Sequence, residues 1–497
     1  MLLFILFCFG LSALPIPEFL RPLLIFERKD PLWAFVTQVV SPPASVPRPS
    51  QGYVAGAGGL AIATEDTVPT EAEAEAPVPA LPVQRAPSGV WERPARPRFE
   101  RYAKALNLSA APMERGCADP SPEGCRRFAM ERFFRRLDQA ADGEGSPVRV
   151  VHFGDSLIAS DKISDTVRKR LQERFGSAGR GFLMVRKFNR FQRGNRSGDG
   201  SPGWVLEIIT QGVLRDRFFG YTGASFTAQK VGEVSRFAPV AGAEQVELHY
   251  LEEPKGGRLE LRADGEVLGR VDTLADRPRS DARVKRFDLG AGVEALELEA
   301  LSPGARVFGV VLESRGPGVV YESIGLPGAT SEVWTRPQRE DFIQMLAARQ
   351  PALVVHMVGG NDGLMLSKKR TALQKIEAAM NAFFDRVAEA APEADCLIVT
   401  PFEAVRAKAD GRKLPKPEVQ DIAALQRKLA EARGCGLWDM YTSMGGEGSL
   451  QRWIDADLML ADLIHPRSRG SDLIGEMFAE SLMEAYDNPL ARTEARD

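Results

Sequence analysis

Histidine and cysteine are scarce in this chain, four and five among 497 residues. No two cysteines are spaced C-x-x-C and no H-E-x-x-H occurs, so a zinc site has no support in the sequence. Basic residues do not outnumber acidic ones, and a formal net charge of −3 leaves no electrostatic footprint for nucleic acid. The G-x-S-x-G elbow of the α/β-hydrolases is missing too. An apolar fraction of 44% and a charged fraction of 26% are those of an ordinary soluble protein, and the length allows more than one domain. Function has to be sought in a site.

Long apolar runs are confined to the N-terminus. Met1 to Leu14 is almost wholly apolar, and Pro17 to Phe26 adds a segment charged only at Glu18 and Arg21. Residues 1–40 are expected to form a signal peptide or membrane anchor region, with membrane association through residues 1–26. The first run nevertheless lacks a positive flank and is short for a bilayer span, and an internal apolar helix is the alternative. Residues 41–98 are rich in Pro, Ala, Val and Glu, cannot bury a core, and are expected to be a disordered tether. Cys117 and Cys125 bracket a short turn-rich loop, and a disulfide there fits an exported protein of the periplasm or cell envelope. Cys396 lies in an apolar run and is expected in the core, while Cys435 stands between glycines.

The folded body is expected from about residue 99. Arg149 is the only charge in the run Val148 to Phe153, the pattern of a buried parallel strand. Ile163, Val167, Leu171 and Phe175 then recur every fourth residue, giving one apolar helical face with Gly176 as its stop. Val319 to Ile324, Leu353 to Val358, Cys396 to Val399 and Gly436 to Met440 are further strands by the same criterion. Helical periods run over Pro122 to Ala141, Asp341 to Arg349, Lys368 to Ala391, Glu418 to Arg433 and Asp472 to Tyr486. Strands alternating with helices predict an α/β fold, a three-layer α/β/α sandwich on a five-stranded parallel sheet. Residues 195–315 break the alternation with short alternating segments, glycines and a hairpin signal at Asp264-Gly265. They predict an all-β sandwich insertion between the first and second sheet strands, dividing the α/β domain into 99–194 and 316–490. Such an insertion can recognise sugar or brace the fold.

Ser156 sits where the first strand gives way to the following helix, the end of an open α/β sheet at which ligands bind. It is a candidate nucleophile, although Asp155 and Ser156 can equally cap a turn. A serine hydroxyl needs a base, and the base needs an orienting partner. His152 and His356 fall in core strands and His249 in the insertion, which leaves His465, in a loop before a helix. Asp462 precedes it by three residues, so one turn can present both side chains to a cleft; both can also be turn and cap residues. Donors for an oxyanion are offered by the amide of Asn361, in Gly359-Gly360-Asn361-Asp362, and by the N–H of Gly328. Either loop alone is explained by a tight turn. Four such features in loops that can share one crevice are harder to explain that way.

The G-D-S at 154–156, Gly328, G-x-N-D at 359–362 and D-x-x-H at 462–465 resemble the four ordered blocks of the SGNH/GDSL hydrolases. The resemblance covers about Pro147 to Phe191 and Gly318 to Tyr486 and implies a flavodoxin-like hydrolase fold. It implies Ser156 as nucleophile, His465 as general base and then acid, and Asp462 as its partner. The oxyanion donors would be the N–H of Ser156, the N–H of Gly328 and the Asn361 side chain. No cofactor is implied. More narrowly, the chain is similar to bacterial peptidoglycan O-acetylesterases whose inserted domain resembles a carbohydrate-binding module. It departs from them at Leu157-Ile158, where His-Thr is common, and at Gly360-Asn361, where Thr-Asn is common. The expected function is removal of acetyl groups from a cell-wall glycan. An O-acyltransferase, a lipolytic esterase and a non-catalytic glycan-binding protein are the alternatives.

Overall fold

The computed structural model describes residues 97–488 apart from 107, 109–110, 188–196, 212–213, 241 and 408–412. The expected signal or anchor region and nearly all of the tether lie outside the described residues. Contacts divide the chain into Met1–Val54, outside the described residues, and Ala55–Asp497, which contains all of them.

The central sheet is built from β1 (Glu114–Arg115), β2 (Val148–Gly154), β3 (Val319–Gly325), β4 (Leu353–Met357), β5 (Asp395–Val399) and β6 (Gly436–Trp438), numbered in chain order. Its spatial order is β1-β6-β5-β4-β2-β3. The pairings among β2 to β6 are all parallel, and β1 adds a short antiparallel edge beside β6. Among the described residues the sheet thus has six strands where five were expected, the sixth being the antiparallel edge strand β1. Alternation along each strand feeds two cores. Val150, Val355 and Leu397 point to the face covered by α1 (Glu131–Ala141), α3 (Lys162–Phe175) and α8 (Ser468–Asp487). Val151, Val354 and Ile398 join the opposite face, under α4 (Arg339–Arg349), α6 (Leu373–Ala390) and α7 (Pro417–Arg433). Two further helices, α2 (Ser156–Ala159) and α5 (Gly360–Ser367), start at the C-terminal ends of β2 and β4. β2 and β4 are adjacent at the point where strand order reverses, so the loops after them flank the crevice where open α/β sheets bind ligands.

Three local expectations change. The segment expected to be helical over Pro122–Ala141 begins as a hairpin, Cys117–Ser121 with Gly124–Phe128, and only Glu131–Ala141 is helix. The Cys117–Cys125 disulfide closes that hairpin, and Glu131 accepts the Phe128 amide at 2.9 Å to start the helix. The run Gly436 to Met440 divides into β6 and a short helix from Met440, because Asp439 accepts the Thr442 amide and caps the turn. Cys396 and Cys435 are not separate thiols. They form a second disulfide beside neighbouring parallel strands, 39 residues apart in sequence.

The β-rich segment forms two antiparallel sheets. One contains Asp281–Asp288, Gln245–Glu252, Arg306–Glu313, Ala224–Ala228 and Trp204–Ile208; the other contains Glu266–Asp272, Arg258–Ala263, Leu296–Ala300, Val234–Phe237 and Asp199–Gly200. Gly179–Leu183, ahead of the expected boundary at 195, also pairs with Arg306–Glu313. The insertion is joined to the α/β body by buried charge. Arg349 of α4, 1% exposed, donates to Glu322 of β3 at 2.9 Å and to Glu247 of the insertion at 3.1 Å, and it also pairs with Glu313. Removing one partner of such a cluster leaves an uncompensated buried charge, which costs about 3–5 kcal/mol.

Candidate active site

Ser156 is the first residue of α2, directly after β2. Its helix is held from both sides: Asp155 accepts the Leu157 amide at 3.0 Å, and Ser323 of β3 donates to the Ile158 carbonyl at 3.0 Å. The opening amides of a helix have no intrahelical acceptor, which makes the Ser156 N–H a candidate oxyanion donor. His465 lies 309 residues away in sequence, yet its Nε2 is 2.8 Å from Ser156 Oγ. Its Nδ1 is 2.7 Å from Asp462 Oδ2.

The loop carrying Asp462 and His465 is internally fixed. Asp462 Oδ1 accepts the amides of Ile464 and His465, each at 2.9 Å, and the Leu460 amide donates to the His465 carbonyl at 2.8 Å. Leu463 takes a left-handed φ of 60° to make the turn. An ionised Asp462 can only accept, so Nδ1 carries the imidazole proton and Nε2 presents a lone pair to the Ser156 hydroxyl. Burial disfavours a charged His465, but the hydrogen bond and charge of Asp462, and the charge of Asp155, outweigh it and hold the imidazole pKa above its ordinary value. Burial pushes Asp462 up, and His465 with the two loop amides more than reverses this, leaving the carboxyl below its usual range.

Gly328 occupies the third position of a β-turn, Leu326-Pro327-Gly328-Ala329, closed by the Ala329 amide on the Leu326 carbonyl at 3.1 Å. Pro327 supplies the fixed φ of the second position and Gly328 the φ of 75° that the third requires. Asn361, in the first turn of α5, donates from Nδ2 to the Ala329 carbonyl at 3.0 Å. Its amide has a second N–H to offer an oxyanion. Asn361 and Ser156 line one cleft, with Leu157, Leu364, Phe402, Val419, Leu463 and Ile464 among its apolar walls.

The structure therefore brings Ser156, His465 and Asp462 into one hydrogen-bonded line, and joins Asn361 to the Gly328 turn. His152 and His356 are fully buried in β2 and β4, and His249 is buried beside Glu247. By sequence Asp155 has only a turn-capping part, and Asp362 none beyond its place in G-x-N-D. Asp155 is buried, with its pKa raised to about 6 by burial against the pull of the Leu157 amide and His465. Asp362 is buried and accepts the Ser331 amide on both oxygens at 3.1 Å and the Ser331 hydroxyl at 3.2 Å, tying α5 to the Gly328 loop. Its position next to Asn361 was the available signal. Among the described residues, no three His, Cys, Asp or Glu side chains converge as metal ligands would.

The Asp462–His465–Ser156 line, with candidate donors at the ends of β2, β3 and β4, is an arrangement able to perform ester hydrolysis through a serine nucleophile. Residues 288–473 match the GDSL-like Lipase/Acylhydrolase family. Residues 288–473 thus carry a GDSL-like lipase/acylhydrolase domain. Ser156 falls before the matched residues, separated from them by most of the insertion. Among curated proteins, none matches the chain. A peptidoglycan O-acetylesterase shares the fold at a TM-score of 0.61 and 20% identity, over 72% of this chain and 96% of that one. An acetyl xylan esterase aligns at 16% identity over 33% of this chain and 80% of its own, with a TM-score of 0.26. The C-terminal CBM6 of a laminarinase from Zobellia galactanivorans aligns at 15% identity over 18% of this chain and 81% of its own, with a TM-score of 0.16.

Proposed function

We propose that the protein is an exported serine esterase that removes O-acetyl groups from a cell-envelope polysaccharide, with peptidoglycan as the first substrate to test. The observation that carries this reading is the continuous relay Asp462–His465–Ser156, with contacts of 2.7 and 2.8 Å. In it, Ser156 Oγ attacks the ester carbonyl carbon as its proton passes to Nε2. The carbonyl oxygen becomes an oxyanion facing the Ser156 and Gly328 amides and the Asn361 side chain. Collapse breaks the bond to the sugar oxygen, which leaves with the proton from Nε2. Water then attacks the acetyl-serine with the same histidine as base, releasing acetate and restoring Ser156.

The peptidoglycan assignment draws support from a fold shared with a peptidoglycan O-acetylesterase over most of both chains. Export draws support from two disulfides, Cys117–Cys125 and Cys396–Cys435, which reducing compartments do not maintain. The apolar cleft beside Ser156 favours a second reading, an esterase for longer acyl chains. Acetate release from purified O-acetylated cell wall, set beside a chain-length series of p-nitrophenyl esters, separates the two. Preference for acetyl and release from cell wall support the first reading; a preference for longer chains with no acetate release selects the second. Ser156→Ala and His465→Ala should each abolish turnover with melting unchanged, and wild-type turnover in both would refute the assignment.

A further inference from the structure

The β insertion meets the loop after β3 at both ends, and we infer that it positions the Gly328 donor. The inference rests on the reading that the Gly328 N–H receives the oxyanion. At the near end, the turn that holds Gly328 begins at Leu326, and Leu326 sits directly on insertion backbone. Gly223 has a φ of 71°, and a Cβ there would lie 2.6 Å from Leu326 Cδ1 and 2.7 Å from Ile209 Cδ1, so no side chain fits between them.

At the far end the two bodies exchange arginines. Arg217 of the insertion donates to the Arg336 carbonyl and, at 3.2 Å, to the Thr335 carbonyl. Arg336 donates back to the carbonyls of Ile209 at 2.9 Å and Gln211 at 3.4 Å, while the Gln338 amide bonds to the Arg217 carbonyl at 2.7 Å. A guanidinium offers several N–H groups in a rigid plane, so each arginine ties two carbonyls of the other body together. Arg217 is itself anchored through its neighbours: fully buried Arg306 pairs with Asp216 at 2.6 and 2.9 Å and with the Phe218 carbonyl at 2.6 Å. Between these two ends, Asn361 and Asp362 hold the middle of the loop at Ala329 and Ser331.

Among the described residues of the insertion no aromatic side chain is exposed; Trp204, Phe219, Tyr221, Phe226, Phe237 and Phe308 are buried in its core, and Phe218, Tyr250 and Phe287 are half-buried. The insertion's contacts with the catalytic body converge on the loop carrying a candidate oxyanion donor. Arg217 and Arg336 are positioning residues: neither touches the reacting atoms, and each acts through the placement of the 326–338 backbone.

The test uses the full chain and p-nitrophenyl acetate. Arg336→Ala and Arg217→Ala should each lower kcat about tenfold with KM held within about twofold, because a misplaced donor weakens only the transition state. Affinity for a boronic acid, which forms a tetrahedral adduct on the serine, should fall by the same factor. Arg336→Lys, which keeps one donor, should recover most of the loss, and Arg270→Ala on the remote sheet should leave kcat unchanged. Wild-type kcat and boronate affinity in both alanine variants would overturn the inference, as would a loss confined to KM. If either alanine variant fails to melt cooperatively, the lysine variant and boronate affinity decide in the same way. A wild-type kcat in the arginine variants beside an inactive Ser156→Ala refutes the positioning role alone; an active Ser156→Ala takes down the esterase reading as well.

Discussion

Replacing Asp462 by asparagine tests the proton relay more sharply than removing the nucleophile does. Asp462 Oδ1 receives two backbone amides at 2.9 Å, so an asparagine in its place keeps its oxygen there and turns its NH2 toward His465 Nδ1. The reverse orientation would set the NH2 against two N–H donors. Facing a donor, Nδ1 must accept, and the ring proton moves to Nε2. Nε2 then points a hydrogen at Ser156 Oγ, 2.8 Å away, where a lone pair is needed. The expected loss is about 10⁴-fold in kcat, ~5 kcal/mol of transition-state stabilisation, less severe than loss of serine or histidine. A second signature follows from charge. The base is active only when neutral, so activity appears as pH rises through the His465 pKa. Asp462 raises that pKa, and burial opposes it. With the carboxylate gone, the acidic limb of kcat/KM should move to lower pH. Hydrolysis of p-nitrophenyl acetate from about pH 4 to about pH 9 spans the histidine's range and measures both effects. An Asp462→Asn enzyme within about tenfold of wild type, with an unmoved limb, would refute the relay.

Three other outcomes follow from the same geometry. Asn361→Ala should cost about 3 kcal/mol in kcat, near 10²-fold, with little change in KM, measured on the same ester. His356→Leu should flatten the acid dependence of stability: His356 is fully buried with its pKa lowered from 6.5 to about 4 by burial, so between those values the unfolded chain takes up a proton that the folded chain refuses. Folded stability therefore falls as pH falls across that window, by on the order of 3 kcal/mol in full, and urea titrations at about pH 7 and about pH 4.5 should show the difference shrink in the variant. The double variant Cys396→Ser with Cys435→Ser removes a link across 39 residues, which chain entropy values at about 4 kcal/mol, and calorimetry should find a lower Tm.

The parts of this molecule that follow from local pattern were legible before any coordinates. β2 through β5 are apolar runs because their residues are buried on both faces, and α3 shows its apolar stripe because only one side meets the sheet. His465 stood out by elimination, since the other histidines lie in strands. What was not legible depends on which segments become neighbours. Cys396 and Cys435 pair because β5 and β6 are adjacent and parallel, a register that no spacing announces. Residues 122–128 pair back on Cys117–Ser121 instead of continuing the expected helix, although the disulfide that closes this hairpin was expected from the turn-rich loop. Arg217 and Arg336 act on backbone carbonyls far away in sequence, and a backbone acceptor leaves no mark in the sequence at all.

The insertion also decides the order in which the sheet can assemble. His152 of β2 and Tyr321 of β3 touch at 2.7 Å, yet they are 169 residues apart in the chain. Closing so long a loop from an unfolded chain is slow, because its entropy must be lost before any pairing rewards it. The insertion removes most of that separation by folding on itself: Leu183 pairs with Val310 and Gly181 with Leu312, which delivers the start of β3 next to the end of α3. Shrinking the loop from its full length to the roughly 40 residues outside that pairing saves about 1 kcal/mol of closure entropy. The insertion is therefore expected to fold ahead of the strand it delivers, and pulsed hydrogen exchange should find its amides protected before those of β3.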